Sequence, residues 1–100
     1  MNQEEDFEYI IYTKTGCSFC LKLKEFLKKE GKIFKDNNCD ELLKNDYNKT
    51  HFLNWVQTTT NKNWKTFPIV FRYDDFIGGY TETTNYINRE NAFQHTYQLF

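Results

Sequence analysis

The chain carries three cysteines, and two of them stand as Cys17-Ser18-Phe19-Cys20. At this spacing two sulfurs can face each other across one helical turn and make or break a disulfide. Such a pair performs thiol–disulfide exchange: one thiolate attacks a foreign disulfide, and the other thiol resolves the mixed disulfide that results. The competing chemistry is zinc ligation by Cys17, Cys20, Cys39 and His51. Structural zinc sites more often show a second tight ligand pair, and here the remaining donors are scattered, so exchange is the stronger reading. Three thiols in a reducing compartment are not a disulfide scaffold. Cys39 stands alone and reads as a small, buried or half-buried side chain.

Exchange requires an anionic attacking sulfur, and the elements around Cys17 are suited to produce one. Glu8-Tyr9-Ile10-Ile11-Tyr12-Thr13 is β-branched and aromatic and reads as a buried strand, followed by a turn at Lys14-Thr15-Gly16. Cys17 to Glu30 shows helical spacing, with Cys20, Leu23 and Leu27 on one face, Phe26 beside them, and lysines opposite. Gly31 is placed to stop that helix. Cys17 therefore sits at a helix N-terminus, where unpaired N–H groups and the helix dipole lower a thiol pKa from about 8.5 to roughly 3.5–7.5. Cys20 falls one turn later, toward the core and less exposed.

Beyond this unit, residues 32–35 read as a second strand and residues 39–60 as helical, with a break expected over 45–49. A loop covers 61–63. Residues 68–73 form a strand, Asp74-Asp75 a hairpin turn, and Phe76-Ile77 a returning strand that ends at Gly78-Gly79. Thr81 is expected to cap a short helix, and Phe93, Tyr97 and Phe100 to line a final one. The order β-α-β-α-β-β-α implies an α/β fold: a right-handed parallel crossover, then a hairpin that makes the sheet mixed.

Composition limits the function classes. One hundred residues support one domain, 1–100, with residues 1–7 expected to be loosely attached. A formal net charge of −1 argues against nucleic-acid binding, which calls for a basic domain. No apolar run approaches a membrane span, and the acidic start lacks the Lys and Arg of a targeting segment, so a cytoplasmic protein is expected. Lys, Asn, Ile, Phe and Tyr total 45 residues, against 8 of Gly, Ala, Arg and Pro, which points to an AT-rich gene such as that of a large DNA virus. Aromatics at 19% must supply much of the core.

Three blocks, residues 11–20 around Cys17-Ser18-Phe19-Cys20, Thr66-Phe67-Pro68, and Gly78-Gly79-Tyr80-Thr81-Glu82, together resemble the glutaredoxin family in its own order. The resemblance covers roughly residues 8–90. It implies a thioredoxin-like fold, a four-stranded mixed β-sheet flanked by α-helices. It further implies a glutathione-dependent disulfide oxidoreductase acting on protein–glutathione mixed disulfides and protein disulfides. Cys17 would be the nucleophile and Cys20 the resolving cysteine. For glutathione, Lys14 would contact a carboxylate and support the Cys17 thiolate. Phe19 would form an aromatic wall, and the Phe67 backbone, between Thr66 and a cis Pro68, would pair with the cysteinyl part. Gly79 would admit close approach, while Thr81 and Glu82 would hold the γ-glutamyl end; Lys65 is a further candidate for a glutathione carboxylate. The motif's proline is replaced by Ser18, a change found in relatives that hold a [2Fe-2S] cluster between two subunits through the nucleophilic cysteine and glutathione. The alternative expectation is thus an iron–sulfur carrier with Cys17 as ligand in a cluster-bridged homodimer. The default expectation is a monomer without a metal.

Overall fold

Alternation along the first strand sets the layers of the molecule. In the computed structural model, which describes residues 7–98, β1 (Tyr9–Thr13) is buried on both faces. Tyr9 and Ile11 point to one side, with Leu23, Leu27, Val70 and Ile87. Ile10 points to the other, with Cys39, Phe52, Val56, Ile69 and Phe71. A strand covered on both faces needs such an unbroken apolar run. Residues 1–6, most of the stretch expected to be loosely attached, lie outside the described residues; Phe7 packs against the second of these clusters.

The remaining elements are α1 (Ser18–Lys29), β2 (Phe34–Asn38), α2 (Asp40–Leu43), α3 (Asp46–Thr60), β3 (Ile69–Arg72), β4 (Asp75–Gly78) and α4 (Tyr80–Gln98). The strands form one sheet in the order β2-β1-β3-β4. β1 pairs parallel with β2, and the other two pairings are antiparallel. This is the four-stranded mixed sheet expected from sequence. α1 and α4 cover one face, through Leu23, Leu27 and Ile87, and α3 covers the other, through Phe52 and Val56. No helix among the described residues is long and apolar enough to cross a membrane.

α1 follows its periodicity closely. Cys20, Leu23 and Leu27 are all buried, and the helix ends in a Schellman motif. Gly31, at φ +69°, donates its N–H to Lys28 O at 3.1 Å, and Lys32 donates to Leu27 O at 2.9 Å. The break expected within 45–49 lies at Lys44-Asn45, where Asn45 caps α3 by accepting from the Tyr47 and Asn48 N–H groups at 2.8 and 3.1 Å.

Three boundaries differ from the sequence reading. β2 lies at Phe34–Asn38 rather than 32–35, and Ile33, expected inside it, is 62% exposed. Pairing with β1 draws in Asp36, Asn37 and Asn38 despite their poor strand propensity, and Asp36 is held by Thr13 Oγ1 and by Lys24 at 2.9 Å. The hairpin loop is Tyr73-Asp74, with Tyr73 at φ +52°, so Asp75 pairs in β4 opposite Arg72. The two expected C-terminal helices are one continuous α4, because neither Gly nor Pro interrupts residues 80–98. Phe93, expected to line the final helix with Tyr97 and Phe100, is 73% exposed, whereas Thr83 and Ile87 face the core. The side chain of Tyr97 and all of Phe100 lie outside the described residues.

Candidate functional site

Cys17 caps α1 with an extended backbone, φ −103° and ψ 104°, and its Sγ accepts from the Cys20 N–H at 3.1 Å. It is joined to Cys20 in a disulfide, with the two Cα atoms 5.2 Å apart. The two sulfurs have different surroundings: Cys17 is half-buried, while Cys20 is 1% exposed and packs into the core. On reduction, the Cys20 N–H and the α1 dipole favour a Cys17 anion, and no acidic side chain occupies the first turn of α1 to oppose it. The Phe67 carbonyl, 3.6 Å from Cys17 Sγ, acts the other way, since it accepts from a thiol and repels a thiolate.

Beside this pair opens a cleft of about 530 Å³ lined by Lys14, Phe19, Lys65, Thr66, Phe67 and Pro68 on one side and by the start of α4 on the other. Every residue that the sequence reading assigned to ligand binding lines it: Lys14, Phe19, Thr66, Phe67, Pro68, Gly79, Thr81 and Glu82. Lys14 Nζ sits 5.6 Å from the centre of the Phe67 ring. Phe19 is 51% exposed at the rim, its ring 5.7 Å from Tyr80. The Phe67–Pro68 bond is cis, as the resemblance implied. Phe67 stands ahead of the β3 ladder, whose first pair joins Ile69 to Tyr12, so its backbone is not taken up by the sheet.

The α4 end of the cleft departs from expectation in one respect. Thr81 is not the cap; it lies within the first turn, and Gly79 takes the cap position. The Gly79 carbonyl accepts from the Thr83 N–H at 3.1 Å, and the Gly79 N–H donates to Glu82 Oε1 at 2.9 Å, half of a capping box. Glycine has no side chain to accept from the next N–H groups, so those of Thr81 and Glu82 are left for an anion at the positive end of α4. Gly78, at φ +135°, has no room for a Cβ, which would lie 2.8 Å from Glu82 Cβ. Glu82 thus has a structural duty in addition to facing the cleft.

Sequence reasoning missed Trp64 and Tyr80 as lining residues. The signal for Trp64 was a large apolar side chain in a polar loop next to Thr66-Phe67-Pro68; Tyr80 lay inside a block already singled out. Cys39 and His51 are not drawn to the cleft. Cys39 is 5% exposed in the α3-side core, and His51 lies on α3 with its ring 4.4 Å from that of Tyr47. Among the described residues no three His, Cys, Asp or Glu side chains gather as metal ligands.

The chain resembles solved structures over most of its length. A glutaredoxin from the hybrid Populus tremula x tremuloides, in its holo form, superimposes with a TM-score of 0.66 at 20% identity, covering 89% of this chain and 82% of that one. A Francisella tularensis glutaredoxin complexed with cacodylate gives 0.67 at 22% identity over 84% and 95% of the two chains. A buckwheat glutaredoxin–glutathione complex gives 0.59 at 19% identity over 85% and 72%. These likenesses establish the thioredoxin-like fold. No curated protein sequence matches the chain. The glutaredoxin family profile matches residues 9–77, from the first residue of β1 into β4 and through both cysteines. With a redox dithiol at the head of α1 and that match across more than half its length, the chain belongs to the glutaredoxin family.

Proposed function

We propose that this chain is a glutathione-dependent dithiol oxidoreductase of the reducing cytoplasm, acting on protein–glutathione mixed disulfides and on protein disulfides. The observation that carries the reading is the placement of a half-buried Cys17 sulfur beside one cleft whose lining includes every residue assigned to glutathione. Cys17 thiolate attacks the glutathione sulfur of a mixed disulfide; the Cys17–glutathione bond forms, and the substrate leaves as a thiolate that takes a proton from water. A second glutathione thiolate attacks that glutathione sulfur, releasing glutathione disulfide and restoring Cys17. With a protein disulfide, Cys17 joins one substrate sulfur and Cys20 attacks Cys17, leaving the internal disulfide and a reduced substrate. Two glutathiones then reduce the pair and leave as glutathione disulfide. Burial of Cys20 supports Cys17 as the sulfur that attacks first.

In the cleft, Lys14 and Lys65 offer cations to the carboxylates of the tripeptide, and the α4 N-terminus offers N–H groups. The test is turnover of a glutathione mixed disulfide by cysteine variants. Cys17→Ser should abolish turnover, and Cys20→Ser should retain or raise it, because the glutathione route uses one sulfur. Equal inactivity of the two variants would overturn the assignment of Cys17 as nucleophile.

A further inference from the structure

The Trp64 indole touches segments that are far apart in the chain. Its Nε1–H donates to the Thr66 carbonyl at 3.0 Å. Its ring meets that of Phe76 in β4 edge-on, with centroids 5.4 Å apart and planes at 74°. Its Cζ2 lies 3.2 Å from where a Cβ on Gly79 would sit. Thr66–Pro68 form one wall of the cleft and Gly79–Glu82 the other, and Trp64 lines the space between them.

We propose that Trp64 is a positioning residue for glutathione, setting the gap between these walls in a matched contact with Gly79; the proposal rests on the glutathione reading above. Two physical arguments support it. First, the Thr66 carbonyl and the Phe67 N–H belong to one planar trans peptide unit and point in opposite directions, so fixing one fixes the other. The indole hydrogen bond therefore aims the Phe67 donor, the group assigned to the cysteinyl part of the ligand. Second, a tripeptide bound to both walls at once responds to their separation, and a rigid bicyclic ring holds that separation better than a flexible side chain. Gly79 matters on the facing side because a Cβ there would sit tightly, 3.2 Å from Cζ2, and push the indole or the loop apart. Neither contact of Cys17 Sγ, the Cys20 N–H or the Phe67 carbonyl, involves Trp64 directly, so the effect belongs to ligand binding rather than to sulfur acidity.

The experiment combines steady-state kinetics with fluorescence on the full chain. Trp64→Phe removes the donor and shortens the ring. It should raise the glutathione KM about 3- to 10-fold, the size of one neutral hydrogen bond, with kcat and the pH profile of Cys17 alkylation retained. Gly79→Ala should also raise KM, and the double variant should show less than the product of the two single effects, since the smaller ring makes room for the methyl. In a Trp55→Phe background Trp64 is the remaining indole, and its emission should change saturably with S-methylglutathione, which binds without reacting. An unchanged KM in Trp64→Phe, purely multiplicative effects, or a joint shift of KM and the alkylation profile would overturn the proposal. Should Trp64→Phe fail to fold, silence of the indole at saturating S-methylglutathione would overturn it equally. Wild-type turnover independent of glutathione would instead overturn the functional reading on which the proposal rests.

Discussion

A cysteine's chemistry depends on its surroundings, and the three cysteines here occupy three different ones. Cys17 caps a helix, Cys20 is sealed beneath it, and Cys39 lies in the α3-side core with its Sγ 3.5 Å from the Asn37 carbonyl. Burial is the main cause that pushes the Cys39 thiol up to about 11, with Asp36 and Asp40 adding to it. Reduced protein exposed to iodoacetamide near neutral pH should therefore be modified at Cys17 and spared at Cys39, as read by mass spectrometry of peptides. The alkylation of Cys17 should titrate below the ordinary thiol value of about 8.5. For Cys39 the linkage has a definite sign. The unfolded thiol ionises near 8.5–9 and the folded one near 11, so stability should fall as pH rises through that window. At the same scale, Glu82 both faces the cleft and accepts from the Gly79 N–H. Glu82→Lys should raise the glutathione KM and also lower stability by about 1 kcal/mol through the lost cap acceptor, measured by thermal melting. Glu82→Gln, which retains an acceptor, should lose less stability.

The elements place the reactive loop through a small set of hydrogen bonds. Asp40, the first residue of α2, accepts from both the Thr15 N–H, at 2.8 Å, and Thr15 Oγ1, while the Cys39 N–H donates to Thr13 O at 2.8 Å. The start of α2 thus ties down the turn that delivers Cys17. These Thr15 hydrogen bonds hold the Asp40 carboxyl below its usual range. A depressed folded-state value means that the stabilisation is present above the unfolded pKa of about 3.9 and is lost as pH falls through the lower folded value. The Tm difference between wild type and Asp40→Asn should accordingly be open near neutral pH and close in acid; a constant difference would contradict the clamp. Nothing in the sequence announces this contact, because residues 15 and 40 meet only once β1 and β2 pair. The buried face of α1 was legible, since Cys20, Leu23 and Leu27 repeat with the helical period and Gly31 ends it. β2 was not: its residues are polar, and partner strand rather than propensity determines its extent. The single α4 was misread for a related reason, as Thr81 suits a cap by type, while the capping acceptor came from Glu82 beneath a bare glycine.

Across the whole molecule the sheet brings three separate chain segments to one cleft, and the ordered motifs made that gathering foreseeable. The loop before β3 was less readable: Trp64 stood out there as a large apolar side chain, but its contacts with Thr66 and Gly79 arise only in the fold. Charge is also distributed at this scale. The chain is nearly neutral, yet the cleft presents Lys14 and Lys65, and Lys22 lies 5.4 Å over the Phe19 ring at its rim. Glutathione carries two carboxylates and one ammonium, so added salt should raise its KM, with the Debye length shrinking from about 10 Å at 0.1 M to about 3 Å at 1 M. Alkylation of Cys17 by neutral iodoacetamide should change far less over the same range. A KM insensitive to salt would argue against binding through the lysines.

With Cys20 sealed, the dithiol presents one reachable sulfur, at Cys17. Substrate and reductant must then take turns at one doorway, and neither can be served while the other occupies it. If glutathione is the reductant, as proposed, the rate law should be double displacement, with parallel lines in reciprocal plots at a series of fixed glutathione concentrations. With glutathione as the proposed reductant, disulfide substrate reacts with the reduced form of Cys17 and glutathione with the oxidised form, so raising either partner shifts the share of the two forms. Traffic through the enzyme is therefore divided by relative concentration, a property that arises from the depth of one sulfur beneath a helix.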